Sequence, residues 1–226
     1  MNPNNIAKGL YAISPDIDVA DAVRCRQFIA QLEQMLDSGL SLFQLRSKAA
    51  ESTKKSSLAK TCRRLCHEYQ TPFIINDDVK LAKQCDADGV HVGQGDSAVA
   101  QVRKQLGKNA IIGVSCHGDL VLAGEAIDQG ANYVAFGRFF PSNTKPDAPP
   151  ADIRVLQRAK YQFHVPIVAI GGIRVSNANY VLDAGADLLA MIDGLFNSDD
   201  LSATLSYLQG LFRKSRHPAA NVLQPS

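Results

Sequence analysis

Short apolar runs rich in β-forming residues recur along this chain, separated by longer stretches with helical spacing. The runs are LYAIS at 10–14, LFQLR at 42–46, PFIIN at 72–76, GVHVG at 89–93, IIGVS at 111–115, YVAFG at 133–137, PIVAIG at 166–171 and LLAMID at 188–193. Most are apolar almost throughout, as expected of parallel strands covered on both faces. Between them, AVRCRQFIAQLEQMLDSG, SSLAKTCRRLCHEY and DLVLAGEAIDQG read as helices. In the last, Leu120, Ala123, Ala126 and Ile127 share a face and Gly130 supplies a stop. DDLSATLSYLQGLF closes the count with a helix after the eighth run. Eight β-then-α units predict an α/β protein, a single (β/α)8 TIM barrel over residues 1–213. A doubly wound open sheet is the alternative. Against it, no GxGxxG follows the first strand, and polar residues collect at the carboxyl ends of many strands, not at one switch point. No internal repeat stands out beyond the βα period. Residues 214–226 have no periodicity and read as a flexible tail.

Composition narrows the class of partner. The formal net charge is +2, from 24 basic and 22 acidic residues, and there is no Trp. Without a basic stripe carrying aromatics, neither nucleic acid nor a membrane surface is an expected partner. The start, MNPNNIAKGLYAIS, lacks the apolar stretch of a secretion signal, and no run approaches the roughly 20 residues of a membrane span. The expected location is the cytoplasm. The five cysteines include no CxxC pair; Cys62 and Cys66 sit at i, i+4, and reduced thiols are the expectation over a disulfide or zinc site. Oligomeric state is not legible.

The candidate chemistry lies at the strand ends. Alternation places Gln44, Arg46 and Lys48 on one side of the second strand, two cations and an amide suited to a polyanion such as diphosphate. A buried ion pair within a barrel layer, or a solvated loop, explains them equally, and both readings stay open. The third strand ends in Asn76-Asp77-Asp78 and the fourth leads to Asp96, so two adjacent strands bring Asp77 and Asp96 to one rim. Carboxylates there would repel unless a cation lay between them, and an oxygen-only pair with a substrate diphosphate suits Mg²⁺. Helix capping is the competing role; it takes Asp78 and leaves Asp96 open. His91, mid-strand among apolar residues, reads as a satisfied core histidine. His117 lies nearer the presumed site, and Cys116 lacks the partners of a nucleophile. Ser142, Thr144 and Lys145 in a Pro-bounded loop, then Gly171-Gly172 and Asp193-Gly194 after the last two strands, form a candidate phosphate site. A solvated loop and tight turns are the plainer alternatives.

Taken in order, FQLRSK, PFIINDDVKLA, ADGVHVGQGD, IIGVSCH, YVAFGRFFPSNTK and PIVAIGGI resemble the thiamin phosphate synthase family, over roughly residues 9–196. The resemblance implies a transferase that condenses hydroxymethylpyrimidine diphosphate with hydroxyethylthiazole phosphate, releasing pyrophosphate by a dissociative route with Mg²⁺. It assigns the diphosphate to Gln44, Arg46, Lys48, Asn76 and Lys145, and the metal to Asp77 and Asp96. It places Ser115 at the reacting centre, and the thiazole phosphate at Ser142, Thr144, Gly172 and the turn at Ile192 and Asp193. The catalytic set is then Arg46, Lys48, Ser115 and Lys145. Three positions depart from the family pattern: Ser142 replaces Thr, Gly95 replaces Glu, and Asp193 replaces Ser. A carboxylate repels phosphate, so the expectation is that Asp193 points away and leaves binding to its backbone N–H, or else pairs with Arg174. Two rival readings are a thiazole tautomerase using His117, which would not need the diphosphate set, and a non-catalytic binder of thiamin intermediates.

Overall fold

The computed structural model describes residues 6–47, 52–95, 98–142, 144 and 147–215. Its eight strands are β1 (Gly9–Ile13), β2 (Leu42–Leu45), β3 (Phe73–Asn76), β4 (Gly89–Val92), β5 (Ile111–Ser115), β6 (Tyr133–Phe136), β7 (Ile167–Ile170) and β8 (Leu188–Met191). Neighbours pair in parallel and in sequence order, and β8 pairs with β1 to close the barrel. The helices are α1 (Ala22–Ser38), α2 (Ser52–Glu68), α3 (Val79–Gln84), α4 (Val99–Leu106), α5 (Leu120–Asp128), α6 (Arg154–Gln162), α7 (Ala178–Asp183), the short α8 (Asp193–Phe196) and α9 (Leu201–Ser215). The predicted TIM barrel is therefore the observed fold. Residues 216–226, most of the expected tail, lie outside the described residues.

Local chemistry sets the helix boundaries. The carboxylates of Asp21 and Asp119 each accept two backbone N–H groups at the starts of α1 and α5, satisfying donors that have no intrahelical partner. Asp78 caps α3 by accepting from Leu81 N, as its position suggested. Phe28, Leu32, Met35 and Leu36 then form the buried stripe of α1.

Strand alternation makes two cores. Residues such as Phe43, Phe73, Ile75, Val90, Ile112 and Leu189 pack outward against the helices. Leu42, Ile74, Ile111, Val168 and Leu188 point inward with Tyr11 and Tyr133, filling the lower barrel. Gly113 makes room for one of these rings: a Cβ there would sit 1.9 Å from Cζ of Tyr133.

The amino-terminal rim carries a repeat that the sequence reading missed. Ahead of β4, β6 and β8 stand Asp88, Asn132 and Asp187, in the strings ADGV, ANYV and ADLL. Each side chain accepts the backbone N–H at or next to the start of the preceding odd strand, from Phe73 (2.8 Å), Ile112 (2.8 Å) and Ile167 (3.1 Å). Each also meets a cation from the helix before that strand: Arg63 from α2, Arg103 from α4 and Lys160 from α6. The turn leading in is shared as well. Asp86, Gly130 and Gly185 are left-handed, and the next N–H reaches back to Ala82, Ala126 and Val181 at 2.9–3.0 Å, a Schellman closure. Only a few letters recur per unit, with Asp and Asn interchanged, so period counting does not expose them.

Candidate active site

The polar strand ends open into one cavity of about 870 Å³ at the carboxyl-terminal mouth of the barrel. Gln44 and Arg46 both line it, from inward positions at and just beyond the end of β2, and both are buried. Ser14, just past β1, holds the Arg46 backbone from both sides, accepting its N–H at 2.8 Å and donating to its carbonyl at 3.0 Å. The guanidinium lies 3.9 Å from the Asp16 carboxylate. Ser47 Oγ, on the same wall, is buried with no hydrogen-bond partner among the described residues.

At the end of β3, Gln44 Nε2 donates to Asn76 Oδ1 (2.8 Å) and Asn76 Nδ2 donates to Asp77 Oδ2 (2.5 Å). Asp77 is exposed at the mouth and its backbone is left-handed, with φ of 58°. Asp is among the few residues that tolerate this region, and strain of this sort collects at functional sites. His117, past β5, shares the conformation with φ of 53° and also faces the cavity. Asp78 lines the rim but is engaged, with Lys55 3.2 Å away besides its capping bond. Lys48, Asp96 and Lys145 lie outside the described residues.

His91 is the buried, hydrogen-bonded core histidine that its mid-strand position suggested, and it also lines the cavity. Its Nδ1 lies 3.0 Å from Tyr133 Oη and its Nε2 lies 2.8 Å from Ser115 Oγ. Tyr133 in turn bonds Tyr11 at 2.7 Å, and Tyr11 donates to Gln44 Oε1. Burial and the facing phenol raise the Tyr11 hydroxyl well above its ordinary value, and burial alone raises Tyr133. Both therefore keep their protons. Cys116 is buried and pushed up to about 12 by desolvation, so it is a poor nucleophile.

The last two loops lock together. Gly172 has φ of 66°, and a Cβ there would fall 2.3 Å from the carbonyl of Pro141. Only glycine lets the β7 turn pass this close beneath the loop that carries Ser142 and Thr144, both of which line the cavity. Ile192 and Asp193 line it from the end of β8. Asp193 is the first residue of α8, and its carboxylate accepts from Asn197 Nδ2 at 3.3 Å, along its own helix.

Comparison with known proteins decides the family. The model described as thiamine monophosphate synthase matches residues 10–195. The chain belongs to the thiamine monophosphate synthase family. It is 44% identical to the thiamine-phosphate synthase of Alcanivorax borkumensis, over 92% of this chain and 95% of that one. It is 46% identical to that of Nitrosococcus oceani, over 96% of each. A solved thiamine phosphate pyrophosphorylase from Pyrococcus furiosus superposes with a TM-score of 0.81 at 30% identity, covering 94% of this chain and 98% of that one. Against this thiamine monophosphate synthase frame, sequence reasoning missed Lys55 at the rim and, deeper in the barrel, Tyr11 and Tyr133. Each tyrosine sits in an otherwise apolar strand, and the available signal was its inward register, two residues from a cavity-lining position, Ile13 and Ala135 respectively.

Proposed function

We infer that this chain is a thiamine-phosphate synthase, joining hydroxymethylpyrimidine diphosphate to hydroxyethylthiazole phosphate and releasing pyrophosphate. The observation that carries the reading is the convergence of Gln44, Arg46, Asn76, Asp77, Ser115, Ser142, Thr144, Gly172, Ile192 and Asp193 on one cavity. The family, and relatives above 40% identity over most of the chain, support it. The proposed catalytic domain is the barrel over 1–213, and α9 carries on through Lys214 and Ser215.

In the proposed mechanism, Arg46 with Lys48 and Lys145 holds the diphosphate, aided by the Gln44 and Asn76 amides. The bond between the pyrimidine methylene carbon and the diphosphate oxygen breaks, and its electron pair leaves with the oxygen. The resulting pyrimidinylmethyl cation is captured by the thiazole nitrogen lone pair, forming the new C–N bond. Charge grows on the diphosphate as the bond breaks, so fixed cations favour the transition state over the ground state. The thiazole phosphate belongs with Ser142, Thr144 and the glycine turn at Gly172, where backbone donors reach an anion. No general base is needed for the capture.

Among the described residues, Asp77 is an oxygen donor at the mouth suited to a hard divalent cation. Asp77 offers a carboxylate at the mouth beside the diphosphate-binding amides, and Asp96 is the second proposed ligand. Mg²⁺ is commonly held by one or two carboxylates plus substrate phosphates. When bound there, it would neutralise leaving-group charge. Among the described residues no helix is long and apolar enough to cross a membrane. The proposed setting is the cytoplasm, with small molecules as the partners.

The test is a mixture of purified protein, Mg²⁺ and both substrates, followed by pyrophosphate release. Release is expected only when both substrates are present. Release without the thiazole phosphate, or none with the full mixture, would refute the reading.

A further inference from the structure

A string of hydrogen bonds crosses the barrel from the mouth at Asp77 to Ser115, and its direction can be worked out by counting protons. A carboxylate only accepts, so Asn76 must face Asp77 with Nδ2, at 2.5 Å. That leaves Asn76 Oδ1 as the atom toward Gln44, which must present Nε2 (2.8 Å). Gln44 Oε1 is then the acceptor for Tyr11 Oη–H. Tyr11 has one proton and has used it, so at the 2.7 Å contact Tyr133 is the donor. Tyr133 has used its proton likewise, so it can only accept from His91 Nδ1 at 3.0 Å. The neutral imidazole protonated at Nδ1 carries a lone pair on Nε2, which faces Ser115 Oγ at 2.8 Å.

We propose that this one-way relay fixes His91 as the Nδ1–H tautomer and makes it the acceptor for the Ser115 hydroxyl. His91 is thus a positioning residue for Ser115. The inference rests on the assignment of Ser115 to the reacting centre. With its proton turned to His91, Ser115 presents only lone pairs to the cavity. It can accept from a substrate N–H, and it cannot donate to a ring nitrogen or carbonyl. The relay explains features that a plain core role would not. Two phenols stand among the apolar residues of the lower barrel, Gly113 leaves space for the Tyr133 ring, and that ring stacks on the imidazole with centroids 5.6 Å apart. Stacking fixes the plane of the imidazole, and the Tyr133 oxygen fixes which nitrogen holds the proton.

The direct test is nitrogen NMR of full-length protein labelled with ¹⁵N-histidine, at pH 7.5 without substrate. The chain has five histidines, and the His91 signals are those lost in H91Q. The expected pattern is a protonated Nδ1 and a pyridine-like Nε2. An Nε2–H tautomer, or an imidazolium, in the wild-type protein would overturn the proposal whatever the activity shows. The kinetic arm uses Tyr133→Phe, which removes the acceptor for Nδ1–H. Its kcat should fall roughly tenfold, the equivalent of one hydrogen bond, with KM for the pyrimidine substrate within about twofold. H91Q, whose amide oxygen can still accept from Ser115, should retain more kcat than His91→Asn, whose shorter amide cannot. Equal losses in H91Q and His91→Asn, or an unchanged kcat in Tyr133→Phe, count against the relay. If the wild-type protein makes no product from both substrates, the reaction assignment fails, while the NMR result still decides the tautomer.

Discussion

The two rims of this barrel use polar residues in opposite ways. At the amino-terminal rim, Asp88, Asn132 and Asp187 are saturated by a backbone N–H and a cation from the neighbouring helix. At the carboxyl-terminal rim, Arg46, Ser47, Asn76 and Asp77 line open space, and two residues there take up left-handed backbone. The first arrangement stabilises the fold; the second holds groups where a ligand can use them. Polar side chains at the two strand ends thus do different work, a difference composition cannot register, although Asp78 and Ser14 keep structural roles at the upper rim as well.

The largest expected effect breaks the upper rim. Arg46→Ala should lower kcat by about 10²–10³, the range for losing one preorganised electrostatic contact, while shifting Tm little. A loss confined to KM would mean that Arg46 binds the ground state and transition state equally. At the lower rim the outcome should reverse. Asp187→Ala should cost about 2–3 kcal/mol of stability, mainly because the buried Ile167 N–H loses its acceptor. The half-exposed Lys8 and Lys160 can turn to water and add little. Denaturant titration measures the stability, and kcat of the folded fraction should stay near the wild-type value.

These two rims were unequally legible. Eight strands and their order followed from runs such as IIGVS and YVAFG, because parallel strands buried on both faces are apolar for most of their length. Gln44 and Arg46 could be placed on one wall by alternation, but whether they faced a ligand, a buried ion-pair partner or solvent depended on the barrel interior. Tyr11 and Tyr133, and the contacts of His91 with its neighbours, were hidden for a related reason. An inward residue in a parallel strand looks like any core residue until its neighbours around the barrel are known, and those lie as far as 122 positions away. The Asp88, Asn132 and Asp187 clamps act between a side chain and a distant backbone N–H, which leaves little trace beyond one oxygen-bearing residue before a strand.

A smaller effect sharpens the comparison through pH. Burial pushes the Asp187 carboxyl up, but the Lys160 ammonium, the Ile167 N–H and Lys8 outweigh it and hold its pKa below the ordinary carboxylate value. Its contribution to stability is therefore complete above the unfolded value of about 3.9 and is lost as pH falls through the folded one. The stability gap between wild type and Asp187→Asn should be widest near pH 7 and narrow progressively below about pH 4 in urea titrations. A gap independent of pH would show that the charge contributes nothing there. The smallest effect belongs to Asp193, which is tied to Asn197 along its own helix. Asp193→Ser should leave thiazole phosphate affinity unchanged or slightly tighter. A binding titration that shows clear weakening would place the carboxylate itself in the site.

The clamp repeat also divides the chain into modules of helix, strand, helix, strand: α2 to β4, α4 to β6, and α6 to β8. The fourth module, from α9 through β1 and α1 to β2, is interrupted by the chain's own ends. Its two halves meet where Gln209 of α9 bonds the carbonyl of Ser38 at the end of α1. The pairing of β8 with β1 closes the ring at this fourth module. Loop-closure entropy concentrates at that seam, where β8 must find β1 across most of the polypeptide. A circular permutant that joins the present termini and opens the chain at another module boundary would move the seam without altering a single side chain of the cavity.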